Sequence, residues 1–270
     1  MNENSTGQRT VSVGSVGHGV FAATMIGLGI EGLIRRDFAP IWEPVPETLP
    51  ARALLIYLCA FVALASGIGL LLRRTVADAA RLLLAYLLLW LWLLRVPHIF
   101  ISPTLDVWYS SCQTLVVVAA AWVLHAGFPT DRDRQRFAVA TGDAGVRIAR
   151  VLYGVSLIPF GLAHVIYLQA TAPLVPDWLP AHTAWAYLTG ATFVAAGLAV
   201  LVGVYARLAA ALSALQIGLF TLLVWVPIVA SGAANAAQWG EFVVSWTLTA
   251  CAWVVADSYR NMSWLAVGKR

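Results

Sequence analysis

The sequence predicts an all-α membrane protein: eight transmembrane helices arranged as two parallel four-helix repeats, with both termini cytoplasmic. Three observations carry this expectation. Hydrophobic residues make up 60% of the chain and charged residues 11%, with a mean hydropathy of +0.79, whereas a soluble domain carries about 25% charged residues. Apolar runs free of charge, such as Ala53 to Leu72, Val151 to Ala172 and Leu208 to Ala230, match the roughly 20 residues a helix needs to cross a hydrocarbon core. Backbone in lipid must satisfy its own hydrogen bonds, so these runs are helices and not open strands. Finally, Pro46-Glu47-Thr48-Leu49-Pro50-Ala51 is answered by Pro176-Asp177-Trp178-Leu179-Pro180-Ala181 at an offset of 130, and a fixed period sets the number of structural units.

Residues 1–15 form a polar tail with one arginine and no small-residue cleavage site, so no secretory signal is expected. The first repeat, 16–127, holds predicted helices at Val16 to Ile34, Arg52 to Leu72, Ala79 to Val96 and Leu105 to Ala126. Pro40, Pro44, Pro46 and Pro50 exclude a regular helix between the first two, and Pro97 is expected to stop or kink the third. A basic linker, 128–146, follows, with Asp131-Arg132-Asp133-Arg134-Gln135-Arg136 as its most polar part. The second repeat, 147–258, is predicted to place helices near Arg147 to Gln169, Thr183 to Val204, Arg207 to Ala230 and Trp239 to Asp257, before a tail at 259–270. Val96-Pro97 against Val226-Pro227 and Gly67 against Gly197 keep the offset of 130.

Four spans per repeat is an even number, so the two repeats run parallel and inverted-repeat transporter logic does not apply. Of the 17 basic residues, all but Arg35, Arg36, Arg52 and Arg95 fall on the side of the termini and the linker. The positive-inside rule makes that side cytoplasmic and puts the proline motifs in the periplasm of a bacterial inner membrane. Trp42, Trp108, Trp178, Trp185 and Trp239 lie near span ends, as an interfacial anchoring belt requires, or as walls of a cavity. Cys59, Cys112 and Cys251 sit in apolar segments without a Cys-x-x-Cys pair, which reads as buried structural cysteine. The net charge of +4 is explained by this cytoplasmic bias, and lipid bilayer, not nucleic acid, is the expected surrounding.

With its glycine-rich first helix (Gly27, Gly29, Gly32; Gly154, Gly161), the chain resembles the DoxX/DoxD-like superfamily over about residues 18 to 258. So do its proline-bearing outer loops and the patterns Ala65-Ser66-Gly67-Ile68-Gly69, Ala195-Ala196-Gly197-Leu198-Ala199 and Tyr205-Ala206-Arg207-Leu208-Ala209-Ala210. The likeness implies a tandem fusion of two four-helix units. It also implies association with a thiosulfate:quinone or other membrane oxidoreductase complex, with further protein subunits as partners. Its motifs are packing residues, so the reaction must be sought in a site.

Ionisable side chains inside a span are functional candidates by default. Glu31 and, at an offset of 133, His164 are the expected catalytic pair, and Arg95, His98, Trp178, His182 and Glu241, with Asp177 nearby, are expected to line a periplasmic-side cavity. Each also has a plain structural reading. Arg95 and Glu241 fit snorkelling from span ends, Glu31 and Arg95 fit a structural ion pair, His98 and His182 fit solvated interface, and His164 fits hydrogen-bonded packing. Quinone chemistry needs an apolar cleft and a hydrogen-bonding or proton-transferring group near each oxygen. The five histidines do not fall at matched depths for haem, no cysteine cluster suits an iron–sulfur centre, and no metal site is read. Two other functions use the same residues: a non-enzymatic scaffold or accessory subunit, and a small-solute transporter.

Overall fold

The computed structural model describes residues 15–268; the polar tail ahead of Ser15 lies outside the described residues, as do Arg9, Lys269 and Arg270. Eight helices are long and apolar enough to span a membrane: α1 (Val16–Arg35), α2 (Arg52–Leu71), α3 (Val76–Ile101), α4 (Leu105–Gly127), α5 (Gly142–Ile166), α6 (His182–Val202), α7 (Ala206–Ala230) and α8 (Ala236–Asp257). No strand occurs among the described residues; one isolated bridge joins Val204 to Val267. The protein is a multi-pass, all-α membrane protein.

Local chemistry explains the helix starts. The Ser15 side chain accepts from the His18 N–H at the head of α1, and Asn235 and Gln238 form a reciprocal capping box at the head of α8, satisfying donors that a helix leaves orphaned. Ala51 and Ala181 precede α2 and α6 with φ of 54° and 57°, each directly after a proline. The left-handed region costs a non-glycine residue roughly 1 kcal/mol, so the turn is held by what packs around it.

Consecutive spans pack as neighbours, and α4 also meets α5 and α8 while α8 also meets α1. The two inner spans, α4 and α8, therefore bridge the two halves. α4 is the most buried span and α7 the least. Close approach depends on glycine. A Cβ on Gly67 would lie 2.7 Å from the Ala22 oxygen of α1, and one on Gly161 would lie 2.4 Å from the Gly190 oxygen of α6, inside the contact distance that any side chain needs. Trp246 Nε1 donates to Thr24 Oγ1 at 3.1 Å, tying α8 to α1.

One end of the bundle gathers the start of α1, the linker and the C-terminal segment. His18 Nε2 donates to the Leu70 oxygen (2.9 Å), Arg81 bridges to Asp133 (3.0 Å), Arg150 binds Ser258 and lies 3.7 Å over the Tyr259 ring, and the Tyr205 N–H donates to Ala266. The opposite end carries the proline-bearing loops.

Three element boundaries differ from expectation. Pro97 does not end α3, because Leu91–Arg95 forms a π-helical turn in which the Val96 N–H reaches back to Leu91. The wider turn makes room for a ring that would clash with the carbonyl of the preceding α-turn. Thr221–Trp225 does the same ahead of Pro227 in α7. α5 begins at Gly142, ahead of its apolar stretch, where Asp143 in its first turn complements the helix dipole. The linker is not merely a tether: Asp131–Arg136 is a short helix with a Thr130–Asp133 capping box, and Asp133 is 1% exposed.

The three cysteines are buried and free. Trp108, Trp178, Trp185 and Trp239 are exposed as a belt requires, but Trp42 is 1% exposed. The loop after α1 folds inward and carries that ring into the core, where Tyr86 and Trp90 meet it edge-on at 5.5 and 5.9 Å between centroids.

Candidate functional site

A cavity of about 700 Å³ opens between α5, α6, α7 and α8, toward the end of the bundle that carries the proline loops and along the side of α6 and α7. Its floor is aromatic. Phe160, Phe193 and Phe220 pack edge to face at centroid distances of 6.1 and 6.0 Å, an arrangement aromatic quadrupoles favour. The size and the apolar lining match those of small-molecule sites.

His164 forms part of this wall, half-buried on the last turns of α5. Its ring stacks on Phe220 (5.7 Å, interplanar 25°) and tilts against Phe193 (5.5 Å). Nδ1 lies 2.7 Å from the Phe160 carbonyl oxygen of its own helix. A carbonyl can only accept, so Nδ1 carries the hydrogen and Nε2 presents a lone pair. The close packing of the His164 Cβ against Gly190 fixes the ring's height on α5. Glu241, in the first turns of α8, lines the same cavity.

Gln216 of α7 bridges the helix gap on the opposite wall. It donates to the Thr189 oxygen (3.0 Å) and accepts from Thr192 Oγ1 (2.6 Å), both on α6. Thr221 of α7 meets Ser245 (2.8 Å) and Thr249 (2.9 Å) of α8. These bonds hold the walls apart at fixed spacing, which an apolar cavity in lipid would otherwise close by packing.

Of the expected site residues, only His164 and Glu241 come together here. Glu31 is elsewhere: it pairs with Arg35 one turn on (3.3 Å) and accepts from Trp239 Nε1 (2.6 Å) in a shallow groove on the α1 face. It therefore shares no site with His164, and its ion pair is with Arg35 and not with Arg95. Arg95 neither lines the cavity nor snorkels. It is 3% exposed and donates to Thr114 Oγ1 (3.1 Å), to the Trp42 and Pro44 oxygens (3.0 Å each) and to the Glu43 oxygen. The π-turn that ends at Arg95 turns the guanidinium inward, onto the carbonyls of the loop that no helix satisfies. His98 and Trp178 are exposed, and His182 and Asp177 sit at the mouth-side end of α6 and its loop without joining the cavity wall.

Sequence reasoning passed over Phe193, Phe220 and Gln216. A long amide in the charge-free run of α7 was a usable signal, since an unpartnered glutamine in lipid is costly; the phenylalanines carried none, because ring position depends on helix rotation. Comparison of the chain with protein-family models, with curated proteins and with solved structures finds no match.

Proposed function

We propose that the protein is a membrane subunit of an oxidoreductase system that binds a quinone-type lipid in the cavity of its second half. The observation that carries this reading is His164 Nε2, an unshared lone pair on the wall of a large aromatic cavity between spans. The residues fit such a group: Phe160, Phe193 and Phe220 would face its ring, while His164 and Glu241 would meet its oxygens. When bound, a quinone supplies two-electron, two-proton exchange; the chain's own part is to seat the ring, exclude water and hold or pass a proton at His164 and Glu241.

The reading extends to organisation. The chain is a tandem duplication of a DoxX/DoxD-like four-helix unit, supported by features at one offset: left-handed Ala51 and Ala181, the π-turns at Leu91–Arg95 and Thr221–Trp225, and the glycine contacts of Gly67 and Gly197. By the same contacts the counterpart of His164 is Gly32, which packs on Ala60 as His164 packs on Gly190. Tyr86 and Trp90 correspond to Gln216 and Phe220. Trp42 fills in the first half the space that stays open in the second, and Arg95 latches it there, so one site is expected per chain. The excess of basic residues at the linker end supports an orientation in a bacterial inner membrane with that end in the cytoplasm and the cavity mouth outside.

Gentle purification from native membranes, with lipid extraction and identification of copurifying proteins, tests the function. Bound quinone together with a redox partner is the expected result, and its loss in His164→Ala places it in this cavity. Tight association with a complex and no quinone in the wild type would instead make the protein a scaffold.

A further inference from the structure

We propose that the cavity takes a single-chain amphiphile whose uncharged, hydroxyl-bearing head lies between His164 and Glu241 and whose chain runs along the seam between α6 and α7. For a quinone-type lipid this selects the reduced, dihydroxy form over the oxidised one. The inference rests on the reading above and names the form of ligand it requires.

Shape comes first. Along α7, from its cap Tyr205, the lining extends to Trp225 and on α6 from Trp185 to Ala199, which at 1.5 Å per residue is about 30 Å and about 21 Å. The long dimension follows the helices, and Ala195, Ala196 and Ala199 leave room along it. His164 and Glu241 stand at the mouth end, while Leu208 and Leu212 line the other, where Ser213 is already bonded to Tyr153 and Tyr205 closes the seam. A head with one extended chain has this distribution of polarity.

Charge narrows the head. No Lys or Arg is among the lining residues, and the one ionisable acid is Glu241. A phosphate group would bring an anion beside a carboxylate with no protein cation to offset it, so an anionic head is disfavoured, and the apolar wall and the His164 lone pair favour an uncharged hydroxyl head.

Hydrogen-bond polarity narrows it further. His164 Nε2 can only accept, because its Nδ1–H is held by Phe160, and a carboxylate also accepts. The threonine hydroxyls nearby are already engaged as donors, Thr171 to the His164 oxygen (3.2 Å), Thr189 to the Trp185 oxygen (2.9 Å) and Thr192 to Gln216 (2.6 Å); the Tyr109 hydroxyl, on the wall beside Phe160, faces the acceptor Glu241 across the same cavity. A hydroxyl of the ligand completes the His164 lone pair; a carbonyl oxygen would oppose it and leave it unmet.

The test uses the full-length protein in lipid nanodiscs under anaerobic conditions, with a decyl-substituted hydroquinone, the matching decyl quinone and the hydroquinone without its chain as probes, each followed by equilibrium binding. The hydroquinone is expected to bind about tenfold more tightly than the quinone, equivalent to about 1.4 kcal/mol, and to lose at least tenfold when its chain is removed. His164→Phe brings the two decyl forms to equal affinity, and Ala195→Phe, which fills the seam, weakens both. Equal binding by the wild type, or preference for the quinone, overturns the inference and leaves the quinone-type site standing. Binding of neither decyl form overturns both. The wild-type ratio needs no variant, so a variant that fails to fold does not blunt the test.

Discussion

At the residue scale, His164 and Arg95 show how similar polar side chains in a membrane take different fates. His164 spends one nitrogen on its own helix and keeps the other facing the cavity; Arg95 directs its whole guanidinium at protein oxygens. Arg95→Met should therefore destabilise the protein by several kcal/mol, since each buried acceptor left unmet costs about 1–3 kcal/mol. Thermal unfolding in detergent and faster proteolysis of the loop between α1 and α2 would report it. His164→Ala should leave that melting transition within a few degrees of wild type while reducing retention of the hydroquinone form about tenfold, and unchanged retention would remove His164 from the site. Asp133 supplies a pH dependence. Burial alone would raise its carboxyl, but the Thr130 hydroxyl and N–H and the Arg81 guanidinium outweigh it and hold the pKa at about 2, below the ordinary 3.8. A depressed acid stabilises the fold above its unfolded value, and that stability is lost as pH falls through the folded value. Acidification from pH 4 to pH 2 should thus cost the wild type about 2 kcal/mol, a loss that Asp133→Asn should not show in a melting series over that range.

In the second half, elements are joined by glycine on one side and by side-chain hydrogen bonds on the other. α5 meets α6 across Gly161 and Gly190, backbone against backbone, whereas α6 meets α7 through the amide of Gln216. Gly161→Leu should be among the most damaging substitutions. Overpacking normally costs about 1–3 kcal/mol, and here the obstructing atoms are backbone, so loss of monodisperse protein on gel filtration is expected. The tight seam sets the height of His164, while the looser one leaves the cavity its width. Prolines at 97 and 227 were legible as breaks in the helix pattern, but not as π-turns, because the choice between ending a helix and widening it depends on whether neighbours hold the next turn in place.

For the whole molecule, the distribution of arginine supports the proposed cytoplasmic side for the linker. A cysteine placed at Gln135, after the three native cysteines are replaced, should be labelled by an impermeant maleimide only once the membrane is opened; labelling in intact cells would invert the proposed topology. The two halves are unequal: buried aromatic side chains close the first and a cavity of about 700 Å³ opens the second.

Composition and uncharged run length alone determined that this is a helical membrane protein with eight spans, since lipid permits few alternatives to a span of some twenty apolar residues. The same chemistry marked the ionisable residues worth attention, His164 and Glu241 among them. Which of those residues meet was decided by the tertiary structure. Helix rotation about its own axis turns Glu31 toward Trp239, and His164 toward Phe193 and Phe220, and a stripe of apolar residues in lipid leaves that rotation open. Only close packing of glycine on backbone, and the capture of a loop by Arg95, fix it.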